Sequence, residues 1–468
     1  MQYETSELVI GLYLLNIVLV LITIFHMLYQ RRSPQNLVAW ILALILLPFV
    51  GIFFYVIFGS RKLLYKKNKP NISLEARLDA HPKKGLAKLN DTLLSANQIN
   101  STTAGNKITF HQSAVETYQQ FVQTLESAES QIYLETYSFE LDITGQEILA
   151  LLVRKASAGV KVRLLMDAVG SLSIYRNQQQ LNALTDAGGQ YSFFQPLFKN
   201  ILNSQLNLRN HRKIYLIDSR TLFTGGMNLS NNYFGSQINE PKEGYWVDLL
   251  FKMEGPIVDH YQKIFNEDWH YTTQERLLVE KTSFSEPTTG RGFMQTIPSG
   301  PDINSDTLFE SILQSIYFAK RQIVIVTPYF IPDSAIVNAL MIAIKRGVKV
   351  ILITPETSDH LIFDLGRGSF MREFLEHGGE IHCYAHGMMH AKLVLIDDKA
   401  ALFGSANLDY RSLFINYEVT NITYSKQFIT LLSDWIDNLI SQSVTYQPAD
   451  TKLRLLLENL ARTIAPIL

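Results

Sequence analysis

One pattern occurs twice in this chain with the same internal spacing. His211 to Asn228 and His390 to Asn407 each read His, any residue, Lys, four residues, Asp and six residues. They close on Gly225-Gly226-Met227-Asn228 in the first copy and Gly404-Ser405-Ala406-Asn407 in the second. The repetition extends outward. Gln131 to Asp142 matches Gln322 to Asp333 at Gln, Ile, Thr, Phe and Asp, and Ala158–Leu165 matches Arg346–Ile353 at Gly, Val, Lys, Val and Leu. A duplication on this scale restricts the chain to two similar lobes, each built from the same supersecondary units. Helical and strand-like patterns alternate within each copy, which predicts an α/β fold with mixed, mostly parallel sheets flanked by helices. The two lobes should form one pseudo-twofold site.

The aliphatic middle of each string reads as a strand. Alternation puts His390 and Lys392 on one face and Asp397 on the other, and likewise His211 and Lys213 opposite Asp218. Each strand thus offers an imidazole beside an ammonium. A charged Lys cannot ligate a metal, and no Cys or carboxylate stands at ligand spacing on that face, so no metal site is expected. A His–Lys face suits an anionic phosphodiester: the ammonium offsets phosphate charge, and the imidazole can attack phosphorus or move a proton near neutral pH. Two such faces would supply a nucleophile and an acid/base. Gly226, Asn228, Ser405 and Asn407 can add donors toward phosphoryl oxygens. Asp248 and Glu418 are lone acids in apolar, strand-like runs, where an unpaired carboxylate would be costly. Asp218 and Asp397 complete the candidate catalytic set as supporting groups, since their parity turns them away from phosphorus.

The front of the chain is different in character. Leu8–Tyr29 and Leu37–Phe58 are two apolar runs, each of 22 residues and about 33 Å as helix, enough to cross a bilayer core. Glu4 and Glu7 precede the first run, unlike a secretory signal. The runs read as a transmembrane hairpin over residues 1–60, with Pro48 and Gly51 marking a kink or re-entrant bend in the second. Arg31 and Arg32 lie between the runs, whereas Arg61, Lys62, Lys66, Lys67 and Lys69 follow them, which favours cytoplasmic lobes. That cluster is either an anionic-headgroup site or a stop-transfer flank.

Residues 61–105 then read as a juxtamembrane connector, 106–281 as the first lobe, 282–300 as a linker rich in Ser, Thr, Gly and Pro, and 301–445 as the second lobe. Residues 446–468 form an amphipathic tail, with Leu453, Leu456, Leu457, Leu460 and Ile464 at helical spacing, for packing on the lobes or lying on a membrane. A net charge of −1 supplies no general field toward nucleic acid, and a single cysteine, Cys383, precludes an intrachain disulfide.

The duplicated H-x-K-x4-D-x6-G-[SG]-x-N string resembles that of the phospholipase D superfamily, over about residues 106–445. Among that superfamily, further stretches are similar to bacterial cardiolipin synthases: the N-terminal hairpin, with Arg31-Arg32-Ser33-Pro34 between the apolar runs and Trp40 through Gly59 ending it, Gly225-Gly226, Thr327 to Asp333, and Leu408 to Glu418. The resemblance implies a single site at the junction of two lobes, a phosphohistidine intermediate and no metal or other cofactor. It implies His211 as nucleophile and His390 as acid/base, with Asp248 and Glu418 hydrogen-bonded to the histidines. The implied reaction joins two phosphatidylglycerols into cardiolipin and glycerol at a bacterial inner membrane, with no obligate protein partner and no nucleic acid. A hydrolytic phospholipase D, or a transferase using another alcohol, would carry the same residues. A nucleic-acid phosphodiesterase would need a basic groove, and a catalytically dead lipid-binding scaffold would have lost a His, Lys or Asn from one string.

Overall fold

The computed structural model describes residues 2–29, 34–59, 69–74, 82–197, 207–235, 246–277, 293–303 and 305–464. Residues 61–68, with most of the basic cluster, and most of the 282–300 stretch lie outside them.

The two lobes correspond strand for strand. The first sheet runs, edge to edge, Lys107–Thr109, Leu250–Glu254, Thr221–Gly225, Ile214–Ile217, Gln131–Thr136, Lys161–Asp167 and Gln190–Phe194. The second runs Met294–Ser299, Glu418–Thr423, Ala400–Gly404, Leu393–Ile396, Gln322–Val326, Lys349–Pro355 and Glu380–Tyr384, with Thr102–Thr103 and Ser443–Thr445 added at its edges. The sheets are mixed, but mostly antiparallel rather than mostly parallel. Among the described residues only three strands in each sheet, those joined by helices, pair in parallel with one another, and the other neighbours are antiparallel. The reason lies in the histidine strings: each strand of a string turns tightly through its Asp into the next strand, and a tight turn reverses direction.

Helix Ile257–Thr273 lies between the sheets. Its Val258, Tyr261, Ile264, Phe265 and Trp269 join side chains of both lobes in one continuous core. The outer face of the first sheet is covered by a separate core around Phe121, Ile148, Leu152 and Phe223.

Three sequence expectations change. Within the 61–105 stretch, read as a connector, helix Gly85–Ala96 and strand Thr102–Thr103 belong to the second lobe: Asn90 donates to Tyr424 Oη at 3.0 Å, and the strand pairs with Met294–Ser299. That last strand also occupies part of the expected 282–300 linker.

The second apolar run is not one continuous helix, in keeping with the kink or bend expected at Pro48 and Gly51. It forms helices Pro34–Leu46 and Val50–Phe58, interrupted at Pro48, where the ring removes a backbone donor. Phe49 takes a φ of 60°, and its N–H is caught by Asn16 Oδ1 of the first helix at 3.1 Å. The two halves approach so closely that a Cβ on Gly51 would sit 2.7 Å from the Ala43 carbonyl oxygen. Val9–Tyr29, within helix Gln2–Tyr29, is the one described stretch long and apolar enough to cross a membrane as a single helix.

The tail forms helix Lys452–Ile464 and packs on helix Leu361–Glu376, but through its polar side. Buried Glu458 pairs with Arg372 at 2.6 Å, and Arg462 pairs with Glu373 and covers the Phe370 ring. Leu453, Leu456 and Leu460 point outward, at 68, 64 and 61% exposure. Helical spacing identifies an apolar stripe without saying which side faces the protein, and here four charged groups select the other side.

Candidate active site

Each histidine is held by the lobe to which it does not belong. Before strand Ile214–Ile217 begins, His211 N–H donates to the Tyr417 carbonyl at 2.9 Å, and Tyr417 N–H donates to the Arg209 carbonyl at 2.9 Å. The mirror arrangement joins His390 N–H to the Val247 carbonyl at 2.7 Å and Val247 N–H to the Met388 carbonyl at 2.8 Å. These short parallel bridges stitch the sheets together at the two histidines. They also bring each lobe's acid under the other lobe's imidazole. His211 Nδ1 lies 3.0 and 3.1 Å from the two Glu418 carboxylate oxygens, and His390 Nδ1 lies 2.7 Å from Asp248 Oδ2. With Nδ1–H donated to a carboxylate, each Nε2 carries the lone pair.

The residue two before the Asn in each closing turn differs, Gly226 against Ser405, because the acids sit differently. A Cβ at Gly226 would lie 2.2 and 2.4 Å from the Asp248 carboxylate oxygens, so only glycine leaves room. In the second copy Ser405 Oγ donates to Glu418 Oε2. Lys392 Nζ lies against His390 and 3.5 Å from Asp248 Oδ2, and Lys213 Nζ donates to the His211 carbonyl at 2.8 Å. Asn228 accepts from Ser138 N–H at 3.2 Å and donates to Tyr233 Oη at 2.8 Å, so it braces the loop beside the site. Asn407 is buried nearby, with its Oδ1 unsatisfied.

Burial dominates the electrostatics. It lowers the His211 pKa, with Glu418 opposing and Lys213 and Lys392 adding to the fall. Burial and then Lys392 push His390 down to about 3, against the pull of Asp248. Burial takes Lys213 to about 7 despite Glu418, and lowers Lys392 despite Asp248. Burial would raise Asp248 and Glu418, but the lysines and histidines outweigh it and hold both as carboxylates. Each lysine acts on the opposite lobe's histidine, so all four groups surround one place and disfavour one another's protonated forms. An anion entering there would favour their protonated forms.

Asp218 and Asp397, the third members of the strings, are not brought to the histidines. Each sits in a left-handed turn (φ 51° and 52°) at the far end of its strand. Asp218 accepts from the N–H groups of Glu129, Ser130 and Gln131 at 2.7–2.9 Å, and Asp397 from those of Lys320, Arg321 and Gln322 at 2.8–3.1 Å. They tie the turn to the start of the adjacent strand. The structure therefore brings together His211, Lys213, His390 and Lys392 of the candidate set, while Asp218 and Asp397 hold the turns.

Several neighbours had no signal in the strings. Tyr137 stands edge-on to His211 at 5.1 Å between ring centres, and Trp246 and Tyr233 approach His390 at 4.8 and 5.5 Å. Asp167, at the end of a parallel strand, accepts from Asn210 N–H at 2.9 Å and so fixes the residue before His211. Their place beside the repeats was readable, but their distance from the histidines was not.

Comparison with known proteins shows the family and the fold. The family profile described as "Cardiolipin synthase, PLD-like domain" matches residues 121–269 and 312–440, and one described as "Phospholipase_D-nuclease N-terminal" matches 14–60. A cardiolipin synthase of Alkalihalophilus pseudofirmus is 32% identical over 97% of this chain and 92% of its own. The major cardiolipin synthase of Bacillus subtilis is 30% identical over 97% of this chain and 98% of its own. Among solved structures, phosphatidylserine synthase of Haemophilus influenzae shares the fold, with a TM-score of 0.61 and 15% identity over 81% of this chain and all of that one. By its duplicated lobes, its matched profile and these relatives, the chain belongs to the cardiolipin synthase family of phospholipase D-like proteins.

Proposed function

We propose that this protein is a phosphatidyltransferase that makes cardiolipin from two molecules of phosphatidylglycerol. The observation that carries the reading is the crossed pair of carboxylate–histidine contacts, one imidazole from each lobe with its Nδ1 on a carboxylate of the other lobe. His211 Nε2 attacks the phosphorus of the first lipid and the P–O bond to its headgroup glycerol breaks. His390, protonated once the phosphodiester charge offsets Lys213 and Lys392, gives its proton to the departing glycerol oxygen. The terminal hydroxyl of a second phosphatidylglycerol then attacks the phosphohistidine, its proton passing to His390, and the P–N bond breaks to release cardiolipin. Assigning His211 as the nucleophile follows the family resemblance. The lysines offset phosphoryl charge in both steps.

His390 is buried against Tyr233 and Trp246, and His211 is only partly exposed beside Tyr137, which favours transfer over hydrolysis by limiting water at the phosphohistidine stage. The N-terminal apolar helices hold the lobes at the membrane that contains both substrates, in a multi-pass arrangement with the lobes cytoplasmic. Near-neutral charge favours lipid over nucleic acid as substrate.

The test is product analysis on purified protein given phosphatidylglycerol in mixed micelles, by thin-layer chromatography and mass spectrometry. Cardiolipin with equimolar glycerol, absent with His211→Ala and with His390→Ala, is expected. Phosphatidic acid as the main product would replace the transferase reading with a hydrolase.

A further inference from the structure

The histidine strands differ in the residue between His and Lys, which is Arg212 in the first copy and Ala391 in the second. Arg212 is fully buried and binds across the lobe junction. Its Nη1 donates to both Asp268 oxygens at 3.0 and 2.7 Å, and its Nη2 to Asp302 at 3.2 Å and the Ser299 carbonyl at 3.2 Å. Its Nε donates to the Glu418 backbone carbonyl at 3.2 Å. A second cation enters the same cluster from far away in sequence. Lys69, only 3% exposed, pairs with both Asp268 and Asp302. It belongs to the segment that leaves the apolar helices, where a row of basic residues would be expected to meet lipid headgroups.

We propose that Lys69 is a positioning residue for the His211–Glu418 pair, linking the segment that follows the membrane helices to the nucleophile through the buried Asp268–Asp302–Arg212 cluster. The linkage is short. Lys69 Nζ and the Arg212 guanidinium both lie against the Tyr417 ring, at 5.0 and 5.4 Å from its centre. Tyr417 offers the carbonyl that receives His211 N–H, and the next residue, Glu418, holds the imidazole. Two consecutive backbone carbonyls, 417 and 418, are thus tied to His211 and to Arg212.

Charge balance gives Lys69 its leverage. Glu135 accepts from Asn210 Nδ2 at 2.7 Å, and burial together with the Asp268 charge holds it well above the usual carboxylate range, hence protonated. Two aspartates then face two cations. Without Lys69 one negative charge is unbalanced in a buried cluster one residue from the nucleophile, which favours an imidazolium at His211. The other groups facing His211 are Glu418, Lys213, Lys392 and Tyr137, with Asp167 and Asp248 acting through Lys213. None of them changes in the variants below.

The proposal rests on the transferase reading only for its kinetic arm. In full-length protein, Lys69→Met should move the acid limb of kcat/KM upward by about one pH unit. It should also lower kcat about tenfold with KM within threefold of wild type, and Lys69→Arg should restore both. A second arm needs no substrate: modification of His211 by diethyl pyrocarbonate from pH 5 to 9, read by peptide mass spectrometry, should show the same shift. Lys69→Met with Asp302→Asn keeps the buried charge balanced should the single variant fold poorly, and should return the titration toward wild type. A folded Lys69→Met protein with unchanged His211 titration, or a double variant shifted as far as a single one, overturns the proposal. Wild-type protein without cardiolipin product would fail the transferase reading alone and leave the His211 titration to decide this one.

Discussion

Gly226 offers the sharpest test of how the site is assembled. Replacing it by alanine puts a Cβ 2.2 Å from Asp248 Oδ1 and 2.4 Å from Oδ2, so the carboxylate must withdraw by about 1 Å to reach ordinary contact. The His390–Asp248 bond is 2.7 Å, and that withdrawal breaks it. His390 would lose its orienting acceptor, and the buried Asp248 would lose a partner, an uncompensated loss of about 3–5 kcal/mol. At about 1.4 kcal/mol per tenfold change, kcat should fall by roughly two to four decades if that loss is expressed in the transition state. KM should hold, since no lipid contact is removed. The assay is cardiolipin formation in mixed micelles with Asp248→Asn and the Gly226→Ala/Asp248→Asn double variant alongside. If Gly226 acts through Asp248, the double variant is no slower than Asp248→Asn alone. A Gly226→Ala enzyme within threefold of wild type, or losses that multiply, would refute the reasoning.

Three further outcomes follow from the same geometry. Asp218→Ala and Asp397→Ala should each cost about 1–3 kcal/mol of stability, seen as a lower Tm, while the folded enzyme keeps its kcat, because each removes an acceptor from three backbone N–H groups remote from the histidines. The His390 pKa is about 3 when folded against about 6.5 unfolded, so the unfolded chain binds the extra proton; stability should be full above about pH 6.5 and fall by about 1.4 kcal/mol per unit toward pH 3, and His390→Gln should flatten that slope in a Tm-versus-pH series. Gly368→Ala places a Cβ 2.5 Å from the Glu458 carboxyl carbon and should loosen the C-terminal helix, seen as faster proteolysis after Lys452 with catalysis retained.

Much of the site was legible because its chemistry depends on residue types at fixed spacing. His211, Lys213, His390 and Lys392 declared themselves by repetition, and Asp248 and Glu418 by the cost of an acid in an apolar strand. Asp218 and Asp397 belong to the same strings yet serve the turns, and strand parity already pointed them away from the histidines. Other features depend on which surfaces meet. The leucines of Lys452–Ile464 gave the stripe but not its direction. Lys69 read as one basic residue in a row of five, and only its burial between Asp268 and Asp302 separates it from the others.

The sequence by itself determined that two alike lobes would each supply a His–Lys pair, since period and spacing are local properties that survive without coordinates. Only the tertiary structure decided that the supports are exchanged, Glu418 reaching the first lobe's histidine and Asp248 the second's. That choice depends on the bridges at Asn210–Tyr417 and Val247–Met389, pairings between residues more than 140 positions apart, which packing of the two sheets on one core selects and no local pattern encodes.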